Sequence, residues 1–251
     1  MQFKQQLVVG RLKRRYQRFL AEVVLADGAS CTVHCPNSGS MRGCLAEGNP
    51  VRLSRSDNPG RKYPFTLEMI EVGGVWVGVN TGLTNRLVRE ALENGVINAF
   101  GELAAIRPEI KVSDRSRLDF LLTRQDGGLV YLEVKNCTLA EHGVAMFPDA
   151  VTARGAKHLV ELMALAGQGH GAAVLFCVQR SDAERFAPAG QIDPHYAAML
   201  AKAAAAGVKV LAWQAAVTPG GIRIHRSLPV ICAGGKEVCL PKGQQAIEAK
   251  Q

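Results

Sequence analysis

Three charged side chains interrupt two apolar stretches in residues 117–136, which read RLDFLLTRQDGGLVYLEVKN. They are Asp119, Glu133 and Lys135. In a β-hairpin centred on Asp126, positions at equal distances from that residue face one another. Asp119 would then lie opposite Glu133, with Cβ atoms about 5 Å apart. Lys135 would project from the same face as Glu133, because side chains alternate along a strand.

Two directly opposed carboxylates predict a metal site. Like charges repel at this separation, so a sequence selected for stability alone would avoid the pair. Hard oxygen ligands suit Mg²⁺ or Mn²⁺, and a neighbouring ammonium can orient a water or stabilise charge on a phosphate. Two alternatives stay open. A two-residue loop at Asp126 and Gly127 would turn Asp119 to the other face, and Glu133 could simply pair with Lys135 at the surface.

The elements around this hairpin divide the chain into two domains. Before residue 80, short β-rich stretches alternate with Gly, Pro and Asn, which predicts a small barrel over residues 1–82. Helical and β-rich segments then alternate, which predicts a separate α/β unit over residues 83–232. The tail, residues 233–251, fits neither pattern and is expected to be disordered or foreign to the native chain.

The net charge of +8 is concentrated in the first domain, where residues 1–82 hold 11 Lys and Arg against 6 Asp and Glu. A basic cluster attracts phosphate backbones through counterion release, so we predict that it binds nucleic acid; the alternative is a solvated strand end. The cluster consists of Arg11, Lys13, Arg14, Arg15 and Arg18.

Cysteine usage and hydropathy predict a cytoplasmic protein with no membrane partner, and association with the nucleoid is one option. The N-terminus lacks the apolar core of a signal peptide, and no apolar run approaches the roughly 18 residues of a membrane span. Seven cysteines, an odd number, favour reduced thiols. Cys31, His34, Cys35 and Cys44 lack the paired spacing of a zinc site, so no zinc is expected.

Several longer motifs resemble one bacterial family. The segments MRGCL, TGLTNRLVREAL, SRLDFLL, YLEVKNCTL, AMFPDAVTARGAKHLVEL and IDPHYAAMLAKAAAAGVKVLAW together resemble the sugar fermentation stimulation protein family over residues 1–230. RLDF followed by EVK resembles the D…(D/E)-x-K signature of restriction-endonuclease-like nucleases. The resemblance implies an α/β protein of two domains, an N-terminal OB-like barrel and a restriction-endonuclease-like domain with a central mixed sheet. It also implies DNA binding and a regulatory role in maltose and sugar metabolism.

The nuclease resemblance also implies roles for individual residues. Asp119 and Glu133 would be metal ligands, Lys135 the catalytic lysine, and the backbone carbonyl of Val134 a further ligand. Relatives of this fold often add an acidic residue from the first helix. Helical geometry favours Glu90, because it lies beside the edge of the apolar arc whereas Glu93 points nearly opposite. That arc is formed by Leu87, Val88, Ala91 and Leu92.

The helix after the hairpin provides candidate phosphate ligands. Leu159, Val160 and Met163 mark a predicted buried stripe, and the polar side chains Arg154, Lys157 and His158 lie toward the other face. Arg154 and His158 are i,i+4 neighbours that could contact one phosphate or orient a water. Because the resemblance places this helix near the site, we predict that these residues contact DNA; a solvated face is the alternative.

These observations predict a Mg²⁺- or Mn²⁺-dependent phosphodiesterase that acts on DNA. The main alternative is a transcriptional regulator that uses a nuclease-like fold without catalysis, and a third is RNA or oligosaccharide binding by the barrel. A helix-turn-helix is not predicted. Asp193 and Pro194 begin a helix that Gly207 ends, but the following VKVLAW reads as a core strand. The oligomeric state stays open.

Overall fold

The structure is a computed structural model that describes residues 1–113, 116–231 and 237–238. The predicted tail, residues 233–251, lies outside the described residues apart from 237–238. No helix in the described part of the chain is long and apolar enough to cross a membrane.

Six strands form the first domain: β1 (Val8–Tyr16), β2 (Leu20–Leu25), β3 (Ser30–His34), β4 (Pro50–Arg55), β5 (Phe65–Val72) and β6 (Val75–Gly78). Their order in the sheet is β3-β2-β1-β4-β5-β6, and β3 also pairs in parallel with β5 where His34 lies beside Thr66. That pairing closes five strands into a barrel, which confirms the predicted OB-like domain.

Alternating apolar residues fill the barrel, with Leu12, Val23, Val33, Leu53 and Leu67 in its core. The loop between β3 and β4 adds Met41 and Cys44, which are fully buried. Cys35 and Cys44 belong to this core, and burial raises the pKa of the Cys44 thiol to about 11. These thiols are therefore packing groups.

The second domain begins with a 3-10 helix (Thr81–Leu83). The elements that follow are α1 (Thr84–Glu93), β7 (Leu103–Ser113), β8 (Ser116–Arg124), β9 (Leu129–Cys137), β10 (Leu139–Glu141), β11 (Val144–Phe147), α2 (Ala153–Gly167), β12 (Gly171–Val178), β13 (Arg185–Pro188), α3 (Pro194–Ala205), β14 (Lys209–Thr218), β15 (Gly221–Leu228), β16 (Val230–Ile231) and β17 (Glu237–Val238). VKVLAW is therefore a strand, as predicted.

The main sheet of this domain has the order β15-β14-β12-β9-β8-β7. Strands β9, β12 and β14 run parallel, whereas β7, β8 and β15 are antiparallel to their neighbours. Helix α1 packs on one face, and α2 and α3 pack on the other. A smaller sheet has the order β10-β11-β13-β16-β17. The predicted restriction-endonuclease-like domain with a mixed sheet is confirmed.

The hairpin of β8 and β9 has the predicted register. Phe120 lies opposite Leu132 and Leu122 opposite Val130, with the turn centred on Asp126. The turn closes because Gly127 adopts a positive φ of 82°, which glycine accepts without strain. The ladder of paired residues ends at Phe120, one step before Asp119.

Candidate active site

A cavity of about 640 Å³ lies between the barrel and the second domain. One wall comes from the barrel, through Arg18 and residues 37–39, and the other from α1, β8, β9 and the segment that leads into α2. The lining includes Asp119, Glu133, Val134 and Lys135. The structure thus brings the predicted hairpin residues into one cavity and adds a barrel wall that the sequence did not indicate.

Asp119 lies where the two hairpin strands separate. Its Oδ2 accepts a hydrogen bond of 2.7 Å from the backbone N–H of Val134, and its Oδ1 accepts one of 2.7 Å from the side chain of Asn85 in α1. Burial and the charge of Glu133 raise the pKa of Asp119, although both hydrogen bonds act in the opposite direction. The hydrogen bond to Val134 thus holds Asp119 against the strand that carries Glu133.

Glu133 is almost fully buried, and two basic groups bind one of its oxygens. Lys135 Nζ lies 2.5 Å from Oε1, and His158 Nδ1 is hydrogen-bonded to the same oxygen. Burial alone would raise the pKa of Glu133, but His158 and Lys135 lower it below its ordinary value. The Glu133 carboxylate is therefore held in its charged form.

The second oxygen of Glu133 provides a test of whether a divalent cation fits. Oε2 is buried and has no hydrogen-bond partner among the described residues. An unpaired buried carboxylate oxygen is costly, and a bound cation would remove that cost. Mg²⁺ is often held by one or two carboxylates with several waters, so Asp119 and Glu133 fit it. Val134 lines the same cavity, and the role of its carbonyl stays a prediction.

The prediction of Glu90 as a third ligand is wrong. Its Oε1 lies 2.5 Å from the α-ammonium of Met1, and it borders a separate cavity with Arg223 and His225. Asn85, in the first turn of α1, is the residue of this helix that is hydrogen-bonded to Asp119. In the part of the chain that the structure describes, no three His, Cys, Asp or Glu side chains group as metal ligands. The candidate site thus has two carboxylates and an amide.

The predictions for α2 have different outcomes. Arg154 lines the cavity, whereas Lys157 is not among its lining residues and pairs with Glu161 at 3.8 Å. His158 is buried against Glu133 instead of facing solvent, because a buried carboxylate provides its partner. The predicted stripe was also wrong at Val160, which is half exposed; the buried face runs through Leu159 and Leu162.

Most of the basic cluster on β1 is engaged within the barrel. Lys13 and Arg14 both bind Glu22 on β2, at 2.9 and 2.8 Å. Both reach it because a register shift lies between Leu12 and Arg14. Arg11 donates a hydrogen bond to the carbonyl of Gly48.

Arg15 and Arg18 contribute to the barrel wall of the cavity in different ways. Arg15 donates hydrogen bonds to the carbonyls of Asn37 and Ser40, so it fixes that loop in place. Arg18 lines the cavity itself. The structure therefore places one member of the basic cluster opposite the carboxylates.

Sequence reasoning missed a polar network behind the cavity. The buried side chain of Gln179 donates hydrogen bonds to Asn136 at 2.5 Å and to Thr84 at 3.2 Å, and both acceptors line the cavity. The backbone carbonyl of Gln179 accepts a hydrogen bond from Gly78 of the barrel. The only indication of this network in the sequence is the polar residue Asn136, which directly follows Lys135.

Comparison with known proteins supports this architecture. Residues 82–221 match the family described as the sugar fermentation stimulation protein RE domain, and residues 14–79 match its N-terminal OB domain. A sugar fermentation stimulation protein homolog of Pelobacter propionicus is 53% identical over 225 residues, 90% of this chain and 97% of the relative. One from Desulfotalea psychrophila is 50% identical over 242 residues, 96% of this chain and 100% of the relative.

A solved structure is also similar. The structure of SfsA from Pyrococcus furiosus in complex with Ca²⁺ has a TM-score of 0.83 and 26% identity, and covers 92% of this chain and 97% of that chain. The two family matches together span most of the described residues, and the relatives match nearly from end to end. The chain belongs to the sugar fermentation stimulation protein family.

Proposed function

We propose that this chain is a metal-dependent nuclease that cleaves DNA at the cavity between its two domains. One observation carries the proposal: Asp119, Glu133 and Lys135 line one cavity, and Glu133 keeps a buried oxygen with no partner among the described residues. A purely structural ion pair would leave no reason for the second carboxylate or for the unpaired oxygen.

Asp119 and Glu133, with the carbonyl of Val134, would hold Mg²⁺ or Mn²⁺. The similar structure from Pyrococcus furiosus was solved with Ca²⁺, a hard cation that prefers the same oxygen ligands. When bound, such a cation polarises a phosphate and lowers the pKa of a water.

The side chains divide the remaining work. Glu133 Oε1 holds the ammonium of Lys135 beside the cavity, where it can position a water or stabilise charge that develops on the phosphate. Arg154 and Arg18 border the cavity from opposite sides and would neutralise the DNA backbone. The basic barrel adds a long-range attraction to DNA in the cytoplasm, where we place this activity.

A second candidate is a DNA-binding regulator without catalysis. The observation that favours it is that α1 contacts Asp119 through the amide of Asn85, whereas the nuclease resemblance implies an acidic residue from this helix. The relatives are named for sugar fermentation, so under either candidate we propose a role in regulating sugar use, including maltose metabolism. The two candidates differ in one property, cleavage.

The decisive experiment compares wild type with Lys135→Ala on single-stranded, duplex, flapped and branched DNA with Mg²⁺ or Mn²⁺. We expect Lys135→Ala to keep DNA affinity and to lose metal-dependent cleavage, because it alters the transition state more than the binding surface. Lys202→Ala, an exposed lysine in the last turn of α3, is the matched control and should cleave normally.

Three outcomes would contradict the proposal or the assay. If wild-type protein binds DNA but cuts none of these substrates, the regulator is the correct function. If cleavage survives in both Glu133→Ala and Lys135→Ala, a contaminating nuclease causes it. If Asp119→Ala binds Mn²⁺ as tightly as wild type in calorimetric titration, the metal site is placed wrongly.

A further inference from the structure

We propose that the cavity takes single-stranded DNA, and that this strand leaves it across a strip of basic and aromatic side chains on the barrel. The strip consists of Arg18, Phe19, His34, Arg61, Lys62 and Tyr63. The inference rests on the proposed function for the chemical class of its ligand, but DNA binding along the strip can be measured without cleavage.

First, the size of the cavity and the hydrogen bonds that fix its walls favour a single strand as the ligand. A volume of about 640 Å³ is typical of a pocket that encloses one small ligand. Ser40 donates a hydrogen bond of 2.6 Å to the carbonyl of Asp149, and the N–H of Met41 donates one of 2.7 Å to its carboxylate. These bonds tie the barrel to the second domain, and the volume between them matches a few nucleotides of one strand better than a duplex.

The second step is the exit from the cavity. Arg18 lines the cavity, and its guanidinium lies 5.7 Å from the ring centroid of Phe19. The Phe19 side chain is 44% exposed, which is unusual for a large aromatic residue in a loop between two strands. An exposed ring beside a cation is the arrangement on which a base stacks while its phosphate is neutralised.

The third step is the continuity of the strip. Phe19 accepts a backbone hydrogen bond from Cys35, the residue that follows His34. A ring nitrogen of His34 lies 3.1 Å from the guanidinium of Arg61, in the loop between β4 and β5. In the same loop, Lys62 Nζ lies 5.4 Å from the ring centroid of Tyr63. The strip therefore has members on the β1–β2 loop and on the β4–β5 loop, the two loops that bind oligonucleotides in OB folds.

The ring of His34 is suited to stacking at neutral pH. Burial and the charge of Arg61 lower its pKa, so the imidazole is uncharged there. The charges of the strip then come from Arg18, Arg61 and Lys62. By contrast, Lys13 and Arg14 on β1 are paired with Glu22, which makes that part of the barrel a poorer phosphate ligand than the strip.

The experiment measures fluorescence anisotropy of labelled oligothymidine, and of a duplex of the same length, in EDTA so that no cleavage occurs. We expect wild type to bind the single strand more tightly. Phe19→Leu and Tyr63→Leu, which keep apolar volume but remove a stacking face, should each weaken single-strand binding about tenfold. Val9→Leu, at another exposed apolar position of the barrel, is the control and should bind as wild type does.

A variant that is expected to keep its affinity shows whether the losses in the other variants result from misfolding. Phe19→Trp should retain single-strand affinity, and its fluorescence should be quenched as bases stack on it. Arg18→Ala should weaken binding and reduce the salt slope, whereas Arg223→Ala, away from the strip, should not.

The outcomes separate this inference from the proposed function. Equal affinity for single strand and duplex, or unchanged binding by both leucine variants, would overturn the strip even if the protein cleaves duplex DNA. Tighter binding of oligouridine than of oligothymidine would assign the strip to RNA and overturn the inference as stated. Single-strand binding along the strip without any cleavage would reject the nuclease and leave the strip intact.

Discussion

His158 is hydrogen-bonded through Nδ1 to Oε1 of Glu133, so the helix after the hairpin holds the carboxylate from within the domain. The same oxygen receives the ammonium of Lys135, and the other oxygen is left unpaired. His158 thus acts as a positioning residue: it fixes which oxygen of Glu133 is available to a ligand.

This contact predicts the effect of His158→Ala. Partners behind a metal ligand typically change metal affinity 10–100-fold, so we expect a loss of about tenfold or more in Mn²⁺ affinity by calorimetry. His158→Gln, which can still donate a hydrogen bond, should recover part of it. His195→Ala, at an exposed histidine of α3, should bind Mn²⁺ normally; an equal loss there would mean that the effect is nonspecific.

The hydrogen bond from Asn85 to Asp119 predicts that metal affinity also depends on Asn85. Asn85→Ala removes the hydrogen bond that orients Asp119 Oδ1, so Mn²⁺ binding should weaken several-fold. Glu90→Gln is the matched change in the same helix. It should leave Mn²⁺ affinity unchanged and lower the free energy of unfolding, because Glu90 pairs with the α-ammonium of Met1. Weaker Mn²⁺ binding in Glu90→Gln would restore Glu90 to the site.

Close packing between Gly78 and Gln179 predicts a coupled pair of substitutions. A Cβ at Gly78 would lie 2.4 Å from Oε1 of Gln179, which cannot move freely because its side chain is buried and bound to Thr84 and Asn136. Gly78→Ala should therefore lower the free energy of unfolding by about 1–3 kcal/mol. In urea unfolding, Gly78→Ala with Gln179→Ala should cost less than the sum of the two by about 0.5–3 kcal/mol. Strict additivity would show that the clash is relieved elsewhere.

The pair of Arg180 and Asp182 predicts a pH dependence of stability. Two hydrogen bonds of 2.6 Å from Arg180 lower the pKa of Asp182, even though burial acts in the opposite direction. A carboxylate with a lowered pKa stabilises the fold above its unfolded-state pKa, and this stability is lost as the pH falls through the folded-state value. Asp182→Asn should thus cost about 1–2 kcal/mol at pH 7, a range that allows for its partial exposure.

The test compares urea midpoints of wild type and Asp182→Asn across pH. The difference should shrink below about pH 4, the ordinary range of an aspartate. Asp57→Asn, which changes an exposed carboxylate that accepts from Gln5, should show little difference at any pH. A constant gap for Asp182→Asn would mean that the charge is not responsible.

The hairpin was predictable because its information is local. The turn at Asp126, Gly127 and Gly128 fixes the register, and alternation then fixes which side chains meet. The apolar arc of α1 was predictable for the same reason, since all of its members are buried. These features need no knowledge of how distant segments pack.

The error at Glu90 arose because the apolar arc of α1 has two edges, and the hairpin meets the edge beside Asn85. Helical geometry gives the direction of a side chain around the axis, but not which turn of the helix meets the hairpin. Five residues separate Asn85 from Glu90, which is about 7.5 Å along the axis. At about 100° per residue the two side chains also point about 140° apart, so Glu90 was misplaced both around the helix axis and along it.

His158 could not be placed from local pattern because its partner lies on another element. A histidine on a helix normally indicates a solvated face. The hydrophobic pattern of α2 alone does not show that the buried carboxylate of Glu133 lies beside it. The pairing of Lys13 and Arg14 with Glu22 was accessible, by contrast. Glu22 lies opposite Arg14 in the β1–β2 hairpin, so the register alone would have shown that these charges are shared.

Asp149 binds the barrel at Ser40 and Met41, so the two walls of the cavity come from segments that lie far apart in the sequence. The reactive groups are encoded in one hairpin, whereas the facing wall is encoded about a hundred residues earlier. Under the proposed function, exchanging the barrel loops while keeping the hairpin would alter which polymer is admitted and leave the reaction itself unchanged. A lineage with this architecture could then evolve new substrates without evolving new chemistry.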